Sequence, residues 1–306
     1  MPHDFNQQII DEFRARKGRV GGHFEGARLL LLTTTGARTG TPHTTPVGYL
    51  ADGGDRVLVI ASAGGSDRHP DWYRNLLAHP QVTVESGAFT YEARAVVLDG
   101  AERDEVFARA VEADPGWAAY QEKTTRVIPV VALHSLARGG PGNINASSFG
   151  EAMKVVHDAF RRELALIRAE LADEPEPEPE RERERERERE AKTENGTGTD
   201  TGTDSGTLGA QLRINCLTFC QGLHNHHTGE DLALFPLVAE QHPNAAPALA
   251  RLREEHERIA VLVEELRRVL ATGTDRESTR TEVDRLATAL EAHLTYEEAE
   301  LIPLLA

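Results

Sequence analysis

Four apolar seams at helical spacing fill the second half of the chain, and each is interrupted by histidine, by glutamate or by both. Their members recur in steps of three and four, which keeps them on one face of a helix. The seams run through His157, Phe160, Leu164, Ile167 and Leu171; through Leu212, Cys216, Phe219, Leu223, His226, Glu230, Leu234 and Leu237; through Leu249, Leu252, His256, Ile259, Val263, Leu266 and Leu270; and through Val283, Leu286, Leu290, His293, Glu297 and Leu301. This pattern predicts an all-α, four-helix up-down bundle.

Packing these seams together would bury four imidazoles and two carboxylates in one core. A single histidine in an apolar stripe is usually a hydrogen-bonded core residue. Six such groups on four seams, two pairs of them spaced as H-x-x-x-E, indicate a shared metal, because buried polar groups are costly unless they are paired or bound. A ligand set without cysteine favours iron, or manganese, over structural zinc. The predicted ligands are His157, His226, Glu230, His256, His293 and Glu297.

Residues 150–306 also resemble the hemerythrin-like (HHE) cation-binding domain. The resemblance depends on HHTGED at 226–231 followed by LFP at 234–236, on Glu255-His256, and on HLTYEE at 293–298 before Ile302-Pro303. It implies a non-haem centre of two iron ions bridged by Glu230 and Glu297. Oxygen-carrying hemerythrins have a further histidine four residues after the third-helix ligand, where this chain has Ala260. The resemblance therefore implies six protein ligands and an open iron position, which favours redox chemistry or sensing of oxygen or iron over oxygen storage.

Two histidines beside the second-helix ligand are expected to point to other helix faces. These are His224 and His227. We expect His227 either to be exposed to solvent or to support a metal ligand from behind. The alternative, in which His227 and Asp231 form an H-x-x-x-D ligand pair, stays open.

Length and charge bound the remaining possibilities. A chain of 306 residues exceeds one typical core. We predict a barrel over residues 1–136, a linker over 137–150, and the bundle over 151–306 with a disordered low-complexity insert at 173–209. A net charge of −16 argues against a nucleic-acid partner. Two cysteines, no signal-peptide core and no long apolar run predict a cytoplasmic protein without a transmembrane segment. Peripheral association with a membrane and the oligomeric state stay open.

The first half has the pattern of a β-protein with a few helices. Short apolar runs separated by Gly-rich turns predict strands at 27–32, 45–50, 56–61, 82–85, 89–97 and 128–133, with helices at 4–16, 70–78 and 101–114. Many short strands favour an antiparallel barrel. No G-x-G-x-x-G follows a strand, which argues against a Rossmann fold. The whole chain is thus predicted to be multidomain, with an α+β split β-barrel of the FMN-binding type before the bundle.

Two strand ends in this half run into Gly-rich turns. The first reads TTTGARTGTP at 33–42, and the second reads ASAGGS at 61–66 before HPDWYRNL at 69–76. A turn of this composition can offer backbone N–H groups, hydroxyls and a guanidinium to a phosphate. It can also be a plain hairpin.

With TPVGY at 45–49 and YQEKTTRVIPV at 120–130, these motifs resemble the deazaflavin (F420)-dependent nitroreductase family over residues 5–133. That resemblance implies split-barrel oxidoreductases that transfer a hydride from reduced coenzyme F420 to a nitro, quinone or enone acceptor. Ser62 and Tyr120 are the candidates for orienting the acceptor or donating a proton. By position, the resemblance implies coenzyme contacts from Arg38, Thr39 and Gly40 at the phosphate, Pro46 and Val47 at the deazaflavin, Ser62, Ala63, Gly64 and Gly65 on the second wall, and Trp72 and Asn75.

Three functions stay open at this point. The first is an F420-dependent reductase fused to a di-iron module. The second is an FMN-dependent oxidoreductase on the same barrel. The third is a non-enzymatic di-iron sensor whose barrel is a scaffold. The expected partner is a small-molecule electron acceptor, with oxygen as an open second partner. The sequence leaves the acceptor unidentified.

Overall fold

The computed structural model describes residues 2–54, 56–136, 143–144, 146–172, 208–272 and 275–305. Residues 173–207 of the predicted insert, and residues 137–142 and 145 of the predicted linker, lie outside the described residues. The helices are α1 (Pro2–Ala15), α2 (Asp71–Ala78), α3 (Gly100–Ala113), α4 (Gly116–Glu122), α5 (Phe149–Ala172), α6 (Ala210–Gly229), α7 (Phe235–Gln241), α8 (Ala246–Thr272) and α9 (Arg276–Leu301). The strands are β1 (Leu29–Thr35), β2 (Pro42–Ala51), β3 (Arg56–Ile60), β4 (Gln81–Ser86), β5 (Phe89–Val97), β6 (Val130–Ser135) and β7 (Asn143–Ile144).

Six antiparallel strands close into a barrel, as predicted. Their order is β4-β1-β2-β3-β6-β5, and β4 pairs with β5 to complete the circle. Strand β1 shows why the sequence folds this way, since Leu29, Leu30, Leu31 and Leu32 are all buried. Leu30 and Leu32 face the barrel core, while Leu29 and Leu31 pack under Phe13 and its neighbours in α1. A strand covered on both faces reads as a continuous apolar run.

Two elements of this half were not predicted. Helix α4 was missed because it is short and begins at Gly116 directly after Pro115, a dipeptide that indicates a turn. Strand β7 lies within the predicted linker and pairs with β5, Ile144 opposite Phe89. At least part of that segment therefore extends the barrel sheet.

The second half is the predicted bundle, in which α5, α6, α8 and α9 bury their seams against one another. All seam residues of α8 and α9 are buried, as are His157, Leu164, Ile167 and Leu171 of α5, with Phe160 half-buried. Leu208, placed by sequence within the insert, is also buried in the bundle core. Between Leu286 and Leu301, the α9 seam has His293 and Glu297 at positions where leucine would be expected, and both side chains are buried.

A π-helical turn at Glu230–Leu234 interrupts the second seam between α6 and α7. Because a π-turn bonds residue i to i+5, it adds one residue to the helical repeat. The predicted seam residue Leu237 is consequently 46% exposed, whereas Val238 is 1% exposed. The prediction for Leu237 is wrong for this reason.

This shift predicts unequal costs for two neighbouring truncations. Val238→Ala should lower the free energy of unfolding by about 1.5–2.5 kcal/mol, from lost burial plus a small cavity. Leu237→Ala should change it by less than about 0.5 kcal/mol, as is usual at the surface. Chemical denaturation of the two variants measures both. Equal losses would contradict the π-turn register.

The bundle contacts the barrel through α5 and α6. Arg28, at the start of β1, pairs with Glu163 and Glu170 of α5, and its Nη2 lies 2.7 Å from Glu163. Gln211 of α6 donates from Nε2 to the carbonyl of Ala51 at 2.8 Å. These contacts fix the two helices that carry several of the predicted ligands against the barrel.

Candidate metal centre and coenzyme site

Seven ionisable side chains meet in the bundle core. Within the described chain, five imidazole Nε2 atoms have no hydrogen-bond partner, and neither do Glu230 Oε2 and both oxygens of Glu297. The side chain of Glu297 is 0% exposed. The imidazoles belong to His157, His226, His227, His256 and His293. Burying so many unpaired polar atoms is costly, and a cation placed among them would satisfy all of them. The residues present therefore fit a metal centre.

The histidines form two groups, and each carboxylate spans both. His157, His226, Glu230 and Glu297 form one set of possible ligands, and His227, His256 and His293 form the other. Glu230 Oε1 is 3.3 Å from His226 Nε2, and Glu230 Oε2 is 3.6 Å from His256 Nε2. Glu297 Oε2 is 3.4 Å from His157 Nε2 and 3.5 Å from His293 Nε2. Both carboxylates could therefore contribute oxygens to metal bound at either histidine group.

Carboxylates behind the histidines fix three of the rings. The Nδ1 atoms of His157, His256 and His293 lie 3.0–3.1 Å from oxygens of Glu298, Asp231 and Glu255 respectively. Two of these acids are held in turn by arginines, Arg161 at Glu298 and Arg251 at Glu255. A partner at Nδ1 leaves Nε2 free to face the centre, which is the usual support of a metal-binding imidazole.

Burial sets the charge states of the metal-free centre. It lowers the pKa of His226 to about 3, an effect that the nearby His157 reinforces. Burial and the neighbouring His293 also lower the pKa of His256. Burial and the carboxylate of Glu297 raise the pKa of Glu230 to about 10. The imidazoles of His226 and His256 are thus neutral and able to ligate, while the carboxyl of Glu230 stays protonated until a cation compensates its charge.

The expectation for His227 is wrong, since this residue is 7% exposed and faces the centre. Its ring stacks on that of His256, with centroids 4.1 Å apart. Successive helical residues are about 100° apart. His226 and His227 therefore fall on either side of the line through Leu223 and Glu230, and both reach the core. Helical-wheel geometry could have found this from the sequence. His224 is exposed, as expected, and so is Ala260.

In the barrel, the turn that carries Arg38 is held by Asn75. The side-chain oxygen of Asn75 accepts from the N–H of Ala37 at 3.0 Å, and its Nδ2 donates to Thr34 Oγ1 at 3.1 Å. Asn75 is buried on α2, so the helix holds the turn against the end of β1. Arg38, Thr39 and Gly40 are exposed at the tip of the turn. Gly40 has φ +69°, a conformation that suits glycine.

The second turn is held by Arg126, whose role the sequence did not suggest. Its Nη2 donates to the carbonyls of Ala61 and Ser62 at 3.0 and 2.6 Å, and its Nε donates to that of Ser66 at 2.8 Å. Its Nη1 lies 3.2 Å from His69 Nδ1, just before α2. Helix α2 thus connects both turns, one through Asn75 and one through His69.

Helix α4 packs on the second turn, which brings Tyr120 next to it. A Cβ at Gly65 would lie 2.8 Å from the carbonyl oxygen of Tyr120, so only glycine fits there. Tyr120 is half-buried, and its ring meets Trp117 edge-on at 6.0 Å.

The other predicted coenzyme residues differ in their exposure. Pro46 and Val47 are half-buried on β2, which runs beside the end of β3 where the second turn begins. Ser62 is half-buried, whereas Ala63 and Gly64 are exposed. Trp72 is buried and packs in the barrel core with residues such as Leu30 and Val84. This packing also stabilises the barrel core.

A cleft of about 600 Å³ opens beside the first turn. Its lining includes Thr35, Pro42, His79 and Arg94, but none of the predicted coenzyme residues. It lies on the outer face of the barrel, where Thr33 and Thr35 follow the leucines covered by α1. We therefore do not place the coenzyme in this cleft.

Comparison with known proteins divides the chain in the same way. Residues 7–135 match the family model described as F420H(2)-dependent quinone reductase. Residues 148–305 match the one described as Hemerythrin HHE cation binding domain.

Individual relatives resemble the barrel. A Mycobacterium tuberculosis protein named F420H(2)-dependent quinone reductase is 39% identical over 125 residues, which cover 40% of this chain and 83% of that protein. A second protein of that organism, to which the same activity is assigned provisionally, is 36% identical over 116 residues, covering 38% of this chain and 97% of its own. A solved structure described as an F420-H2 dependent reductase is 39% identical and covers 35% of this chain and 94% of its own, with a TM-score of 0.33. Among the described residues, no helix is both long and apolar enough to cross a membrane.

Proposed function

Because the chain belongs to the F420H(2)-dependent quinone reductase family through residues 7–135 and to the hemerythrin HHE family through residues 148–305, we propose that it is a fused redox protein. Its barrel binds coenzyme F420 and reduces a quinone. Its bundle holds two iron ions, or manganese ions in their place, and responds to oxygen, iron or redox state. The names of the relatives favour a quinone over a nitro or enone acceptor.

The observation that carries the coenzyme half is the pair of Gly-rich turns held together by α2. Arg38 lies exposed on one turn, where its guanidinium is available to a phosphate. Gly64 on the other has open space where a Cβ would stand, so a ligand can approach the backbone closely. Asn75 acts by holding the Arg38 turn, since both ends of its amide are already engaged.

Reduced F420, when bound, supplies a hydride for the acceptor. The protein contributes binding, orientation and the exclusion of water. Ser62 and Tyr120 lie on the two sides of the contact between the second turn and α4, and either hydroxyl can hold an acceptor oxygen or give it a proton. Arg126 keeps Ser62 in place through its carbonyl.

The observation that carries the metal half is the set of unpartnered Nε2 and carboxylate oxygen atoms. His157, His226, His256 and His293 would hold the metal ions, with Glu230 and Glu297 between them. Bound iron supplies redox chemistry that side chains alone cannot. Burial keeps His226 and His256 neutral, and carboxylates behind the rings of His157, His256 and His293 fix their orientation.

Two measurements on the purified full-length chain test this function. The absorbance of retained or added coenzyme distinguishes F420 from FMN, the runner-up, because the two ring systems absorb differently. Metal analysis counts iron per chain. Binding of FMN alone would favour the FMN-dependent alternative, and failure of every reduced coenzyme to bind would favour a sensor with the barrel as scaffold.

Arg38→Ala should raise the dissociation constant for F420 by about 10–100-fold, as expected for the loss of one charge-assisted contact worth about 1–3 kcal/mol. A fluorescence titration with the coenzyme measures it. Arg19→Ala, which removes an exposed arginine outside the turn, is the matched control. Equal affinities for Arg38→Ala and the wild type would remove Arg38 from the site.

A further inference from the structure

We propose that His227 is a seventh ligand of the bundle's metal centre, which makes the two metal positions unequal. One position is then served by His227, His256 and His293, and the other by His157 and His226. This inference rests on the proposed function, in which the bundle holds two metal ions.

The geometry of the His227 group points to a common metal ion. The candidate ligand atoms of His227, His256 and His293 all lie within 4.8 Å of one another. The rings of His227 and His293 are 5.1 Å apart and nearly perpendicular, and that of His227 stacks on His256 with centroids 4.1 Å apart. These side chains come from α6, α8 and α9, three separate helices.

A purely structural role does not account for His227. Its Nε2 is buried and unpartnered among the described residues. Leaving a buried polar atom unpaired is destabilising, so an apolar side chain of similar size would pack there at lower cost. The stacked contact with His256 explains where the ring lies but gives its nitrogen no partner.

The third helix does not provide a further histidine beside His256. Ala260 is exposed, so the position four residues after His256 does not face the centre. His227 reaches the centre from α6 instead, beside His226. With Glu230 and Glu297 shared between both groups, the three-histidine position has one more protein donor than the two-histidine position.

The test compares His227→Leu with the wild type. Leucine keeps the site filled but cannot ligate. Metal-free protein is loaded anaerobically with iron(II), iron per chain is counted after gel filtration, and release to a chelator is followed over time. We expect the wild type to release iron in two phases. His227→Leu should hold at least one iron ion tenfold or more weakly, since even losing a group behind a ligand costs about 10–100-fold in affinity.

Melting temperatures give a second, independent readout. His227→Leu should melt higher than the wild type without metal, because it removes an unpartnered buried imidazole, and lower than the wild type once both are loaded. A packing residue would shift both forms in the same direction. His224→Leu, an exposed histidine on the same helix, should leave every value unchanged.

The outcomes distinguish failure of the proposed metal-binding function from failure of the role of His227 alone. Wild-type protein without iron would overturn the metal function itself. A wild type with two iron ions and a His227→Leu variant with the same content and release kinetics would overturn only the role of His227. If His227→Leu does not fold, His227→Gln keeps a polar side chain of similar length and is expected to show the same loss of iron. Retention of iron by His227→Gln would overturn the inference as well.

Discussion

Replacing His226 and Glu297 together by alanine should empty the metal centre and lower the melting temperature of the iron-loaded protein by about 10 °C. The double variant removes His226 and Glu297, the carboxylate that lies between His157 of one group and His293 of the other. A ligand present at a thousand times its dissociation constant stabilises the native state by about 4 kcal/mol. That free energy corresponds to about 8–16 °C for a unit of this size.

Calorimetry with and without added iron measures this effect. The matched control is His224→Ala with Glu300→Ala, which removes an exposed histidine and an exposed glutamate from the same two helices. It should keep both the iron and the melting temperature. Absence of stoichiometric metal from wild-type protein produced in iron-rich medium would refute the ligand assignment.

Gly65→Ala should destabilise the barrel by about 2–5 kcal/mol and weaken coenzyme binding with it. Gly65 has φ +82°, which costs an alanine about 1–2 kcal/mol. Its new Cβ would also lie 2.8 Å from the carbonyl oxygen of Tyr120 and 2.8 Å from the Cβ of Lys123, so α4 must move. Displacing packed elements adds about 1–3 kcal/mol.

Gly64→Ala separates the cost of the backbone conformation from the cost of the steric contact with α4. Gly64 has φ +64°, but a Cβ there meets nothing within 4 Å. This variant should lose only the backbone term, about 1–2 kcal/mol. Denaturant titration measures both variants. Equal losses for Gly64→Ala and Gly65→Ala would contradict the close packing of α4 on the turn.

The bundle could be predicted from sequence because its signal is local. Steps of three and four define a helix face wherever they occur, and the seams of α8 and α9 are buried throughout. The prediction failed at Leu237 because nothing in the sequence of Glu230–Leu234 indicates a π-turn. The prediction failed at His227 because the seam was assigned to His226 alone, although His226 and His227 lie on either side of it.

The antiparallel barrel could be predicted from the sequence, but the pairing of its strands could not. Strand β3 pairs with β6, which is distant in sequence, and such contacts depend on the assembled fold. The same limit applies to Asn75 and Arg126. Asn75 holds its turn through the hydroxyl of Thr34 and the N–H of Ala37, and Arg126 holds the other through the carbonyls of Ala61 and Ser66, all distant in sequence. Spacing along the chain contains no trace of these contacts.

The contacts of Arg28 and Gln211 have a consequence for how the centre assembles. Helix α8 ends at Thr272 and α9 begins at Arg276, whereas α5 ends at Ala172 and α6 begins only at Ala210. Closing a loop costs about 0.6 kcal/mol more for each doubling of its length, so bringing His157 of α5 to the other ligands carries the larger entropic penalty. Arg28 binds α5 and Gln211 binds α6, both to the same barrel. The barrel therefore holds α5 and α6 next to each other, although the chain itself joins these two helices only through a long connection.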